Sequence, residues 1–213
     1  MTDVAIGLMT ALGLSTAAGL NAYLPLLIVG GLDRWTDQIA LHAPYDTLAE
    51  PGVMIAIGAI AIVDFVGDKV PAIDSVLHAI GVVVAPVAGA LVALAVTGND
   101  AVDPAFAVVL GVAAAGATHG ARSIVRPAST AFTGGAGNPV LSLGEDTIST
   151  VLSFSAVIVP VVAFLLVLVL FALLIWAVRR VFRRRRRPRD TLGESGSSGT
   201  TGPPARPDDY RST

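Results

Sequence analysis

The sequence predicts an all-α, polytopic membrane protein with five or six transmembrane helices, one of them broken or re-entrant. Three observations predict it. Hydrophobic residues make up 54% of the chain and charged ones only 14%, well below the roughly 25% charged residues of a soluble domain. The apolar residues fall into repeated runs of about the length that crosses 30 Å of hydrocarbon. The formal net charge of −2 conceals an asymmetry, because ten of the fourteen Lys and Arg residues lie at or beyond Arg179. The first 178 residues hold twelve acids against Arg34, Lys69, Arg122 and Arg126 alone. There is no cysteine, which excludes disulfides, thiolate metal sites and cysteine nucleophiles.

Taken in order, Val4 to about Leu32 is the first span, nearly all apolar or small. The opening Met-Thr-Asp-Val-Ala lacks the basic segment of a secretory signal, so this run is expected to be retained. It is interrupted at Gly19-Leu-Asn21-Ala-Tyr23-Leu-Pro25, where an amide enters the apolar zone and proline removes a backbone donor. A kinked or broken helix is the expected result. Asp33 to Pro51 is polar, with Trp35 and Tyr45 suited to the headgroup level.

Gly52 to Gly67 reads as a second span, broken by Val70-Pro71. A third, capped by Asp74 or Ser75, runs to Val96 and stops at Thr97-Gly98-Asn99-Asp100. Pro104 to about Arg122 makes a fourth, whose Gly and Ala density favours close helix–helix approach. Residues 127–146 are too polar and glycine-rich for a lipid-facing helix. They either cross the membrane buried within the protein or dip in and return. Thr147 to Val178 reads as one long final span kinked at Pro160. Residues 1–182 thus form a transmembrane helical domain. Residues 183–213, rich in Arg and then in Gly, Ser and Pro, read as a disordered cytoplasmic tail.

The positive-inside bias puts the Arg179–Arg189 cluster, and with it the C-terminus, in the cytoplasm. With six segments both termini lie inside, and only Arg34 dissents. With five, the N-terminus lies outside and Lys69, Arg122 and Arg126 need reassignment.

Three groups of residues carry candidate chemistry. Asp64, Asp68, Lys69, Asp74 and His78 crowd a turn between apolar segments, and the Asp64–Asp68 and Asp74–His78 spacings each place two groups on one helix face. Such an oxygen-rich cluster suits a divalent cation or a proton relay, while a solvated hairpin at the headgroup level is the bland alternative. His119, Arg122 and Arg126 fall at i, i+3 and i+7, one helix face, and suit an anionic group or lipid headgroups. Asn138, Ser142, Glu145 and Asp146 follow a glycine-rich stretch that is neither a P-loop nor a dinucleotide fingerprint. The two acids there also suit the first turn of a helix, whose dipole they would complement. Asn21-x3-Pro25 has a loose echo in Asn138-Pro139, as in transporters built from repeated halves.

With these residues in view, the chain resembles the bacterial membrane family catalogued as domain of unknown function 4126. The resemblance is carried by Ala17-Ala-Gly-Leu-Asn21-Ala-Tyr-Leu-Pro25, Asp64-x3-Asp68-Lys69-x-Pro71-x2-Asp74, Pro86-x2-Gly89-Ala, and Gly137-Asn138-Pro139-x2-Ser142-x2-Glu145-Asp146. It covers roughly residues 10–175 and implies that these positions form one polar constellation. It implies no substrate.

The leading expectation is a small transporter or channel-like protein for an ion or small solute. Asp64, Asp68 and Asp74 would form its cation or proton-coupling site, and Asn21, Asn138 and Ser142 would line its pathway. A metal-dependent enzyme acting on a lipid-linked phosphate is the second expectation, with Arg122 and Arg126 clamping phosphate. A membrane scaffold or assembly factor is the third. The partners expected are the bilayer and a small solute or ion. A homo-oligomer is compatible with the sequence, and the arginine run beside a span needs no nucleic acid.

Overall fold

The computed structural model describes residues 2–67, 71–97, 102–134 and 137–185, and every regular element among them is helical. Seven α-helices are present among the described residues: α1 (Thr2–Leu20), α2 (Tyr23–Trp35), α3 (Pro51–Gly67), α4 (Pro71–Thr97), α5 (Pro104–Thr133), α6 (Asn138–Ile158) and α7 (Pro160–Arg185). A short 3₁₀ turn, Tyr45–Ala49, precedes α3. Among the described residues four helices are long and apolar enough to cross a membrane, namely α1, α4, α5 and α7. At 13 and 17 residues, α2 and α3 are shorter.

α1 is the centre of the bundle, packed against α4, α5, α6 and α7. Its small residues allow this. A Cβ on Gly13 would come within 2.8 Å of the Ala156 Cβ, and one on Gly19 within 2.6 Å of the Thr118 Cβ. α4 and α5 approach as closely where Gly89 and Gly111 face each other, each leaving no room for a side chain on the other. Small residues let backbones meet at van der Waals distance where lipid-like surroundings offer little drive to bury larger ones.

Side-chain contacts fix the helix directions. Ala11 clusters with Ala93 and Ala107, and the Ser15 hydroxyl donates to the Gly89 carbonyl over 2.8 Å. The Arg122 guanidinium then reaches the Leu20 carbonyl. α4 therefore runs antiparallel to α1, and α5 parallel to it. Ser149 donates to the Ala17 carbonyl over 3.0 Å, and Ala156 lies beside Gly13, so α6 is also antiparallel to α1. The C-terminal end of α1, the N-terminal ends of α4 and α6 and the C-terminal half of α5 thus gather at one end of the bundle.

Three sequence expectations change. The fourth helix does not stop near Arg122 but continues through Pro127 to Thr133, capped by Gly134 at φ 61°. Hydroxyls that read as loop chemistry bond back onto this helix instead, Thr130 to the Arg126 carbonyl and Thr133 to the Ser129 carbonyl. The described part of residues 127–146 accordingly belongs to the end of α5 and the start of α6, rather than to a separate dipping segment. Thr147–Val178 is not one kinked helix. The chain breaks at Val159, and Thr147 and Leu173 line the same groove, which requires α7 to fold back along α6. The arginine-bearing end of α7 consequently returns to the end of the bundle that holds Arg122 and Arg126.

The break in the first apolar run falls at Asn21-Ala22, as the sequence leads one to expect, with Pro25 tolerated in the first turn of α2. α2 and α3 pair antiparallel, Gly31 lying near Met54, and Tyr23 lining the same cleft as Asp64. Among the described residues α3 touches only α2, the 3₁₀ turn and α4. α4 begins at Pro71, so Asp74 falls in its first turn rather than at its cap. Asp68 and Lys69 lie outside the described residues, as do the Asp74 side chain and residues 186–213 of the expected tail, while Arg183–Arg185 belong to α7.

Candidate functional site

A helix break leaves carbonyls at one end and amides at the other without helical partners. Asn21 supplies the amide end. Its Oδ1 accepts from the backbone N–H groups of Tyr23 (3.0 Å) and Leu24 (3.2 Å), capping α2. Its Nδ2 donates to Asp146 Oδ1 over 2.9 Å, tying the break to α6. The carbonyl end is met from α5, where Arg122 Nη1 donates to the Leu20 oxygen over 2.6 Å.

His119, Arg122 and Arg126 share one face of α5, as their spacing predicts, and that face turns to the break. Arg122 Nε and Arg126 Nη2 lie 2.7 and 2.6 Å from a single oxygen, Oε2 of Glu145. Arg126 is 6% exposed and Glu145 8%. Charges this deep are costly to desolvate, and the close pair offsets that cost only while both partners are present.

Two histidines complete the face. The rings of His78 and His119 stack with centroids 4.8 Å apart. His78 Nε2 lies 2.8 Å from Ser123 Oγ, and the Ser123 hydroxyl donates to the His119 carbonyl over 2.9 Å. Ser123 Oγ thus bridges the His78 ring and the His119 carbonyl. His119 is 5% exposed, and its ring lies where a side chain on Gly81 would be, 2.6 Å from such a Cβ. Its Nε2 is buried without a hydrogen-bond partner, a state that native structures seldom leave without a reason.

These groups border a cleft of about 30 Å³ whose wall includes Asn21, Tyr23, Asp64, His78, His119 and Arg122. A volume of about 10–15 Å³ by this measure admits one water, so the cleft holds on the order of two. Asp64 enters from α3, opposite the cationic face of α5.

The structure therefore joins two groups that looked separate in sequence. Asn21, Asp64 and His78 meet His119, Arg122 and Arg126 around one cleft, and Glu145 and Asp146 anchor its walls. Asn138 lies elsewhere, its amide donating to Thr130 Oγ1 over 2.9 Å to staple the α5–α6 turn. Ser142 is buried in α6 but does not border the cleft. Among the described residues no three His, Asp or Glu side chains converge as metal ligands. Asp68 and the Asp74 carboxylate, which the divalent-cation expectation also invoked, lie outside that description. Sequence reasoning did not single out Ser123 or Gly81, and named Tyr23 only as part of the break in the first span. Ser123 sits four residues after His119 and could have been found by helical spacing, whereas nothing marks Gly81 among so many glycines.

The family model DUF4126, a domain of unknown function, matches residues 8–180, a stretch that includes every group around the cleft. No curated protein and no solved structure matches the chain. With well over half of its length covered by that model, the chain belongs to the DUF4126 family.

Proposed function

We propose that this protein is a multi-pass transporter or channel-like protein that passes a small ion or proton through the cleft beside Asn21. The observation that carries the reading is His119 Nε2, buried and unpartnered in a water-sized polar cleft among apolar helices. Ionisable groups within apolar helices are expensive and mark pathways for ions and protons more often than they serve stability. A broken helix whose freed backbone groups face a cavity is a recurrent way to build such a site.

In this reading α1, α4, α5, α6 and α7 cross the membrane, and α2 with α3 enters and returns from the cytoplasmic side of an inner membrane. Five crossings put the N-terminal end of α1 outside and the arginine end of α7 in the cytoplasm. Arg122, Arg126 and the α7 arginines then share the cytoplasmic end without reassignment, in keeping with the positive-inside bias. The short paired helices replace residues 127–146 as the re-entrant element.

The gathering of both acidic groups at one end also favours a composite site for an enzyme acting on a lipid-linked phosphate. In that reading the two arginines would have to leave Glu145 to clamp phosphate, which makes it the second choice.

The test is flux in proteoliposomes of the purified protein, read with an internal pH dye for protons and with Na⁺, K⁺, Mg²⁺ and Cl⁻ gradients. Transport above empty liposomes for one of these, largely lost in His119→Gln and Asp64→Asn, is the expected result. Flux indistinguishable from empty liposomes for every gradient would overturn the reading.

A further inference from the structure

A second site lies at the opposite face of α6. Thr147, Ile148, Val151 and Leu152 of α6 and Leu166, Val169, Leu170 and Leu173 of α7 enclose an apolar groove of about 240 Å³. Thr147 adds no polarity, because its hydroxyl is turned back to the Leu143 carbonyl at 2.7 Å and leaves its methyl for the groove. We propose that this groove seats one acyl chain of an anionic phospholipid, whose phosphate is held by Arg180 with Arg179 and Arg183 beside it.

Charge complementarity and register select this occupant. The groove stripe of α7 repeats at Leu166 and Leu173, and the next position seven residues on is Arg180, so the arginine continues the same helix face beyond the groove. At 1.5 Å per residue its Cα lies about 10 Å beyond that of Leu173 along the helix axis, on the headgroup side of the groove. Arg180 packs on a neighbouring aromatic ring. Its guanidinium carbon lies 4.9 Å from the centre of the Trp176 ring, a pairing that orients the charge at the level where tryptophan favours the membrane interface. Arg179, Arg180 and Arg183 are exposed and stand on one and a half turns of helix with no acid between them. A zwitterionic headgroup would leave this field unsatisfied, and an uncharged apolar partner would not use it. The inference rests on membrane embedding alone and not on transport, so loss of flux and loss of lipid binding report on different claims.

Native mass spectrometry of the detergent-purified chain supplies the test, with phosphatidylglycerol and phosphatidylcholine titrated in parallel. Tight retention of one phosphatidylglycerol in preference to phosphatidylcholine is expected. Arg180→Gln should weaken it about fivefold, the loss that one interfacial arginine near anionic lipid implies. Val169→Phe, which fills the groove and keeps every charge, should weaken retention as well. Equal retention of the two lipids overturns the proposal. So does a Val169→Phe variant that keeps full preference for phosphatidylglycerol, since headgroup attraction at the arginines alone would then account for binding. Far-ultraviolet circular dichroism of both variants separates loss of the site from loss of the fold.

Discussion

Arg122 donates to the carbonyl oxygen of Leu20 over 2.6 Å, so a side chain of α5 closes the last turn of α1, 102 residues earlier in the sequence. The same guanidinium meets Glu145 through Nε. One residue thus binds together three of the helices that meet at the polar end of the bundle, and its neighbours inherit that coupling.

Removing Glu145 should be more damaging than removing Arg126. Glu145→Gln takes away the carboxylate that two buried guanidiniums share, and about 3–5 kcal/mol of destabilisation is expected. Arg126→Gln leaves Glu145 still paired with Arg122 and should cost less. The double variant should fall short of the sum of the two, because they share one ion cluster. Denaturant unfolding of the four proteins in detergent gives the coupling, and strict additivity would contradict the shared-oxygen geometry.

Asn21→Ala removes the cap of α2 and its link to Asp146 together. The cap alone is worth on the order of 1 kcal/mol. Hydrogen exchange should accelerate at the Tyr23 and Leu24 amides while the middle of α1, around Leu14, stays protected. Unchanged exchange at those two amides would show that the cap is not formed in the membrane.

Gly111 and Gly89 face each other across α4 and α5, so Gly111→Val should abolish monodisperse protein in gel filtration. Gly7→Val is the control, since nothing lies within 4 Å of a Cβ there. Comparable yields of the two variants would mean that these helices do not meet as closely as described.

The absence of native cysteine makes topology directly measurable. Val159→Cys lies at the α6–α7 turn and Phe132→Cys at the other end of the bundle, both exposed. A membrane-impermeant thiol reagent should label Val159→Cys in intact cells and Phe132→Cys only after the cells are opened. Labelling of both in intact cells, or of neither, would contradict the five-crossing arrangement.

The break at Asn21 was legible because an amide, a glycine and a proline interrupt an otherwise unbroken apolar run. The common face of His119, Arg122 and Arg126 was legible from helical spacing. Two other features were hidden for opposite reasons. The extension of α5 past Arg122 carries Ser, Thr and Pro, which ordinarily signal a loop, yet its hydroxyls bond to its own helix. The turn between α6 and α7 is made of Val and Pro, so it shows no polar interruption and a single helix was the natural reading. The union of Asp64 with the α5 face depends on how three separate hairpins pack. No local pattern encodes that.

The isolation of α3 has a mechanical consequence. The cationic face of α5 is anchored on both sides, by α1 through Leu20 and by α6 through Glu145, whereas among the described residues Asp64 rides on a helix that leans only on α2, the 3₁₀ turn and α4. A swing of α3 away from the bundle would widen the entrance and carry off its negative charge in one stroke. Geometry and polarity of the doorway would then change together, the Asp64 carboxylate standing at the entrance when it is shut and withdrawn when it is open.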